Sequence, residues 1–206
     1  MEENKELTRV EKTELDAKNY FRQGLNCSEC VMTAMLDNFD TGLPREVVKL
    51  ATGFGGGMGH TKNTCGAITG AVMALSAMVG RENPLAKETM AERVQELQQG
   101  IYPVVGAMVK EIEEKYGTLI CSELSNPHGE WEGKARKKNC MAMITECAGL
   151  AARHAEEYLK NKEKLDTLTL ERNVIAPTIV NTIPSKKLIK LFILSPFHVK
   201  IILHPF

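Results

Sequence analysis

The 206-residue chain has no surplus of either charge: 26 Lys and Arg stand against 26 Asp and Glu. That balance gives no electrostatic reason to expect nucleic acid or another charged polymer as partner. The chain also lacks a secretory opening. Met1-Glu2-Glu3-Asn4-Lys5-Glu6 is polar and acidic where a signal needs a basic start and an apolar run, so a cytoplasmic location is the default expectation. No uninterrupted apolar run reaches the ~20 residues of a membrane span. Lys190, Pro196, His198, Lys200 and His204 break every candidate near the C-terminus. No stretch in the first 165 residues alternates with period two, which argues against strands. The fold expected is all-α: a single compact helical domain of five to seven helices with a C-terminal extension.

What the chain does have is a concentration of glycine. Six of its sixteen glycines fall between Gly53 and Gly66, in Thr52-Gly53-Phe54-Gly55-Gly56-Gly57-Met58-Gly59-His60-Thr61-Lys62-Asn63-Thr64-Cys65-Gly66. Glycine tolerates positive φ and close backbone approach, so the main chain must follow a tight, irregular path here. The loop lacks the Gly-Lys-Ser/Thr ending of a P-loop, and no strand precedes it as a dinucleotide fingerprint requires, which disfavours nucleotide binding. Ala67, Ile68, Ala71, Val72, Leu75, Ala77 and Met78 then recur at helical spacing, placing Cys65 in the first turn of a helix. Unpaired N–H groups and the positive end of the helix dipole lie there, and both favour a thiolate.

The remaining periodicity supplies the other helices. Val10 to Gly24 reads as an amphipathic helix, with Gly24 as its cap. Asn26 is a credible N-cap for a helix from Cys27 to about Phe39. A short helix starts at Pro44, and the one from Cys65 stops near Gly80. Residues 84–116 read helical throughout, broken or kinked at Gly100 and Pro103. Cys121 falls in a short connection, and a last helix runs from about Ala135 to Lys160. The domain expected spans 10–162, between a frayed 1–9 and an extension over 163–206. In that extension Asn173–Val180 and Leu188–Leu194 are β-branched or apolar, with prolines between.

Six cysteines in a reducing compartment are better read as metal ligands or cycling thiols than as static disulfides. The glycine loop running into Thr64-Cys65-Gly66-Ala67-Ile68-Thr69-Gly70, with Asn26-Cys27 upstream and two separated cysteines downstream, resembles the redox-active family called C-GCAxxG-C-C. The resemblance covers roughly Glu11 to Leu159. It places the family's four cysteines on Cys27, Cys65, Cys121 and Cys140, and leaves Cys30 and Cys147 outside the pattern as candidate core residues.

Two mechanisms follow for those four. In one they are redox thiols: Cys65 is the best attacking thiolate by position and Cys27 its expected resolving partner, while Cys27-Ser28-Glu29-Cys30 could instead form its own pair. The partner would be a redox protein or a small-molecule thiol or disulfide. In the other, Cys27, Cys65, Cys121 and Cys140 are ligands to an iron–sulfur cluster or zinc, with N–H groups from Gly55, Gly56, Gly57, Gly59 and Gly66 donating to its sulfurs. Two close C-x-x-C pairs, the usual sign of structural zinc, are absent. His60 and His128 read as solvated loop residues, the methionines as core filler, and Trp131 carries no functional signal.

Overall fold

The computed structural model describes residues 6–182, with side chains described as far as Thr169. Among the described residues there is no named strand, only one isolated antiparallel bridge, Thr64 to Ile120. Seven α-helices follow in order: α1 Arg9–Arg22, α2 Cys27–Asn38, α3 Gly66–Val79, α4 Met90–Gln95, α5 Tyr102–Tyr116, α6 Cys121–Ser125 and α7 Lys134–Thr182. The chain divides into two compact units at Asn161 and Lys162, and the core belongs to the first. None of the described helices is long and apolar enough to cross a membrane.

Local chemistry sets the helix starts. Thr8 and Glu11 form a reciprocal capping box at the start of α1, and Asn26 with Glu29 does the same for α2. The segment after Pro44 is a 3₁₀ turn, Arg45–Leu50, rather than an α-helix. Asn83-Pro84 does not open a helix, contrary to the pattern: residues 84–89 are turns, and the helix waits for the capping box of Thr89 and Glu92. The break expected at Gly100 and Pro103 is instead a π-type turn, Glu96–Ile101, that leads straight into α5. Pro103 has no N–H to give the preceding turn, and the wider turn absorbs that loss without ending the helix. Gly117, at φ 73°, caps α5 in the left-handed region.

Cys121 opens a short helix instead of lying in a connection. The last helix passes the stop expected near Lys160 and includes the 173–180 segment; residues 183–206, with the apolar run 188–194, lie outside the described residues, as do residues 1–5.

One core unites the first unit. Met35, Ile68, Leu75, Met108, Ile112 and Ile144 are its largest fully buried side chains, drawn from α2, α3, α5 and α7. Burying such a side chain is worth about 1.5–3 kcal/mol. Around them small residues let helices approach: Gly66, Ala67, Gly70, Ala71 and Ala74 on α3, and Ala148, Ala151, Ala152 and Ala155 on α7, are all buried. Glu111 of α5 holds Arg153 of α7 at 2.6 Å and His154 at 3.2 Å, and Glu146 of α7 accepts from Tyr116.

The closeness of α2 and α3 makes a prediction. A Cβ at Gly70 would lie 2.8 Å from the Ser28 Cα and 2.9 Å from its carbonyl oxygen, backbone that cannot step aside. Gly70→Ala is expected to destabilise the protein by about 1–3 kcal/mol in urea unfolding. Gly106→Ala, in α5 with nothing within 4 Å, is expected to stabilise it by about 0.5–1 kcal/mol.

A candidate site of two thiol pairs

Three connections deliver the four cysteines of the pattern to one place. The first ties the start of α2 to the chain entering the glycine loop. Asn26 donates to the Thr52 carbonyl at 3.1 Å, Glu29 accepts from the Thr52 hydroxyl at 2.7 Å, and the Ser28 hydroxyl donates to the Ala51 carbonyl at 2.7 Å. The second flanks the Thr64–Ile120 bridge: Cys65 N–H donates to Leu119 and Cys121 N–H to Asn63, at 2.9 and 2.7 Å. The third joins α6 to α7 through Asn139, which donates to the Leu124 carbonyl at 3.0 Å. Cys27, Cys65 and Cys121 thus come from the starts of three helices, and Cys140 from the second turn of α7.

The glycines make the approach possible. A Cβ on Gly66 would lie 3.1 Å from the Cys27 Cβ and 2.7 Å from the Phe54 carbonyl oxygen. One on Gly57 would lie 2.8 Å from the Cys121 Cβ and from the Asn63 backbone. Gly55 faces the Asn26 side chain just as closely, whereas Gly59 has no close neighbour. Gly56 sends its N–H to the Cys27 sulfur. Five consecutive residues, Gly56 to His60, have positive φ, and Lys62 is a sixth. The turn is thus wound in the left-handed sense that glycine permits and that costs Met58, His60 and Lys62 about 1–2 kcal/mol each.

The four thiols interact chiefly as two pairs, Cys27 with Cys140 and Cys65 with Cys121. The expected partnership of Cys65 with Cys27 is therefore not the one the fold makes, although the two pairs lie near enough to feel each other's charge. Within each pair one sulfur donates and the other accepts. Donation to its partner, then burial, pushes both Cys65 and Cys27 far above an ordinary thiol. The helix-start amide of Ala67 does pull Cys65 down, as its position implied, but is outweighed.

The acceptors go the other way. Cys121 is lowered to about 6, first by the hydrogen bond from Cys65 and then, against burial, by Ser125 and the Arg136 guanidinium. Cys140 is lowered to about 7, first by the bond from Cys27 and then by Arg136 and Ser125. Arg136 and Ser125 thus favour the anion on Cys121 and Cys140 over Cys65 and Cys27. Cys121 and Cys65 are buried, 4% and 6% exposed, while Cys140 and Cys27 are half-buried.

Arg136 and Trp131 complete the site, and neither was singled out by the sequence. Arg136 is 8% exposed, lies 3.5 Å over the Trp131 ring, and donates to the Trp131 carbonyl at 2.7 Å. Its Nε–H is buried without a hydrogen-bond partner. The loop closes on the same indole: Lys62 Nζ sits 4.6 Å from the ring and His60 meets it edge-on at 5.6 Å. The only signal available in sequence was an Arg four residues before Cys140. His128 lies exposed in a 3₁₀ turn.

Cys30 and Cys147 are fully buried core residues pushed up to about 12, and Cys30 turns its thiol to the Leu25 carbonyl, so Cys27 and Cys30 do not form a pair of their own. Among the described residues no three or more Cys, His, Asp or Glu are placed to hold a metal ion. A surface groove between Val10 of α1 and Leu150 of α7 is lined by none of the cysteines.

A family model described as "Putative redox-active protein (C_GCAxxG_C_C)" matches residues 25–154, a span that holds all six cysteines, Trp131 and Arg136. No curated protein and no solved structure matches the chain.

The pairing fixes an order of thiol reactivity. In the folded, reduced protein iodoacetamide is expected to label Cys140 first. Its rate should rise through pH 7, because the thiolate is present above about 7 and protonated below. Cys30 and Cys147 should label only after unfolding. Peptide mapping across pH 5–9 checks both, and first labelling at Cys65 would reverse the assignment.

Proposed function

Given that the chain belongs to the C_GCAxxG_C_C family, we propose that it is a thiol–disulfide redox protein whose half-buried pair, Cys140 with Cys27, exchanges with an external disulfide. One observation carries this reading: Cys27 and Cys140 are free, half-buried and close enough to interact, as a dithiol that cycles must be.

The Cys140 thiolate attacks one sulfur of the substrate disulfide, forming a mixed disulfide and releasing the other sulfur as a thiolate. Cys27 loses its proton to that leaving thiolate and attacks the Cys140 sulfur. The Cys27–Cys140 disulfide forms and the second substrate thiol departs. Two electrons pass from the protein to the substrate, and an external dithiol drives the same steps in reverse. Arg136 favours Cys140 as the attacking anion, and high proton affinity makes Cys27 the proton donor. A redox protein or a small-molecule thiol or disulfide fits as partner, because Cys140 is partly open.

The neutral chain, without a helix that could span a membrane among its described residues, fits a partner met in solution, and we place it in the cytoplasm. Ligation of iron–sulfur or zinc by the same four cysteines would need the sulfurs to converge on one centre, which the two-pair arrangement does not favour.

Cys27→Ser is expected to accumulate a stable mixed disulfide at Cys140 when treated with an aromatic disulfide, and Cys140→Ser to lose the exchange by at least about a hundredfold. Mass spectrometry of the intact protein and release of the aromatic thiol read the two results. Metal analysis after anaerobic purification accompanies them: stoichiometric iron or zinc, with thiols that label only after chelation, would overturn the exchange mechanism.

A further inference from the structure

The second pair has the opposite exposure. Cys121 and Cys65 are buried, so a substrate carrying its own bulk cannot bring a disulfide to them. Around Cys121 stand two buried donors. Arg136 Nε–H is buried and unpartnered, on a side chain more than nine-tenths buried whose charge is felt by Cys121 and Cys140. The Ser125 hydroxyl, 3% exposed, reaches the Cys121 sulfur at 4.0 Å, a long contact that leaves it room to turn to a nearer acceptor. A buried polar hydrogen without a partner is costly, and the cost is recovered when an acceptor arrives. The acceptor these donors fit is an oxygen next to the Cys121 sulfur.

We propose that Cys121 is a peroxidatic cysteine: the buried Cys65–Cys121 pair reduces small hydroperoxides, with Arg136 and Ser125 holding the oxygens of the O–O bond as it breaks. The inference rests on the thiol reading of the site and extends it to a second substrate class.

The Cys121 thiolate attacks the terminal peroxide oxygen. An S–O bond forms, the O–O bond breaks, and RO⁻ leaves and takes a proton from water. Cys121 is now a sulfenic acid, two electrons oxidised. The Cys65 sulfur then attacks Cys121, its proton joins the departing hydroxide as water, and the Cys65–Cys121 disulfide remains. In sum, thiolate, thiol, ROOH and one proton give disulfide, ROH and water. Guanidinium and hydroxyl donors aimed at the departing oxygen stabilise charge that appears only in the transition state. Reduction of the Cys65–Cys121 disulfide is left to an external dithiol, which takes its place as the new disulfide.

The test uses the full-length, fully reduced protein and hydrogen peroxide at less than one equivalent. Two thiols should be lost per peroxide, with the disulfide mapped to Cys65–Cys121. In Cys65→Ser, dimedone should trap a sulfenic acid on Cys121. Arg136→Met should slow the reaction about a hundredfold, and Ser125→Ala, the milder change, should slow it in the same direction; the helical circular dichroism of each checks that the fold is kept. Oxidation mapped to Cys27–Cys140, a dimedone adduct on Cys140, or wild-type rates in both folded variants would overturn the proposal. Exchange with an aromatic disulfide at Cys140, followed in the same preparation, keeps the two readings apart. Exchange without peroxide reduction sinks only the inference drawn here, and loss of both sinks both.

Discussion

The left-handed run from Gly56 to His60 is the constraint on which the site depends. It turns the chain within a few residues so that Gly57 meets Cys121 on one side, while Gly66, just past the loop, meets Cys27. Neither contact leaves room for a Cβ. The non-glycine residues in that run are strained, and the strain is offset by bonds that exist only in this turn: His60 N–H to Gly55, Lys62 N–H to Gly56 and Asn63 N–H to Gly57, at 3.0–3.2 Å. Packing of Lys62 and His60 on Trp131 adds to them. The loop is therefore held from two directions, by its own carbonyls and by an indole from the segment before α7.

From that closeness the electrostatics follow. Four thiols in one buried space cannot all ionise, because each new anion raises the next; Cys121 raises Cys140 in just this way. They cannot all stay neutral cheaply either, since a buried guanidinium would then lack counter-charge. The arrangement between these limits is one proton shared within each pair. Which partner is the anion is decided by Arg136 and Ser125, which both face Cys121 and Cys140. Cys65 and Cys27 instead receive a single amide each, from Ala67 and Gly56. The helix-start effect is real here but is the smaller contribution.

This explains what could be read from the sequence and what could not. Helical periodicity placed α1, α2 and α3 within a few residues, and Asn26 and the glycines were legible because a cap and a positive φ each have a residue preference. The four cysteines were legible as a set. Their pairing was not, because it is fixed by the Thr64–Ile120 bridge, between residues 56 apart with no distinctive side chains. The polarity of each pair was illegible for the same reason: it depends on Arg136, whose role is set by burial against Trp131 rather than by any motif. The start of α4 was misplaced because Pro84 is a helix-start residue by preference, while the Thr89–Glu92 box had the stronger claim through two reciprocal bonds.

The way Arg136 is anchored bears on how the site can cycle. An ion pair with a carboxylate would fix the guanidinium but cancel the charge that draws protons off Cys121 and Cys140. Among the described residues no carboxylate pairs with it. It is held by the Trp131 carbonyl and by the face of the ring, a neutral oxygen and a quadrupole, which orient the cation and leave its charge in place. That hold does not depend on the thiolates. Oxidation removes both anions, and a cation anchored only by them would then have to leave for water. Arg136 keeps its carbonyl and its ring in either redox state, so the site stays assembled around the positive charge that the next reduction needs.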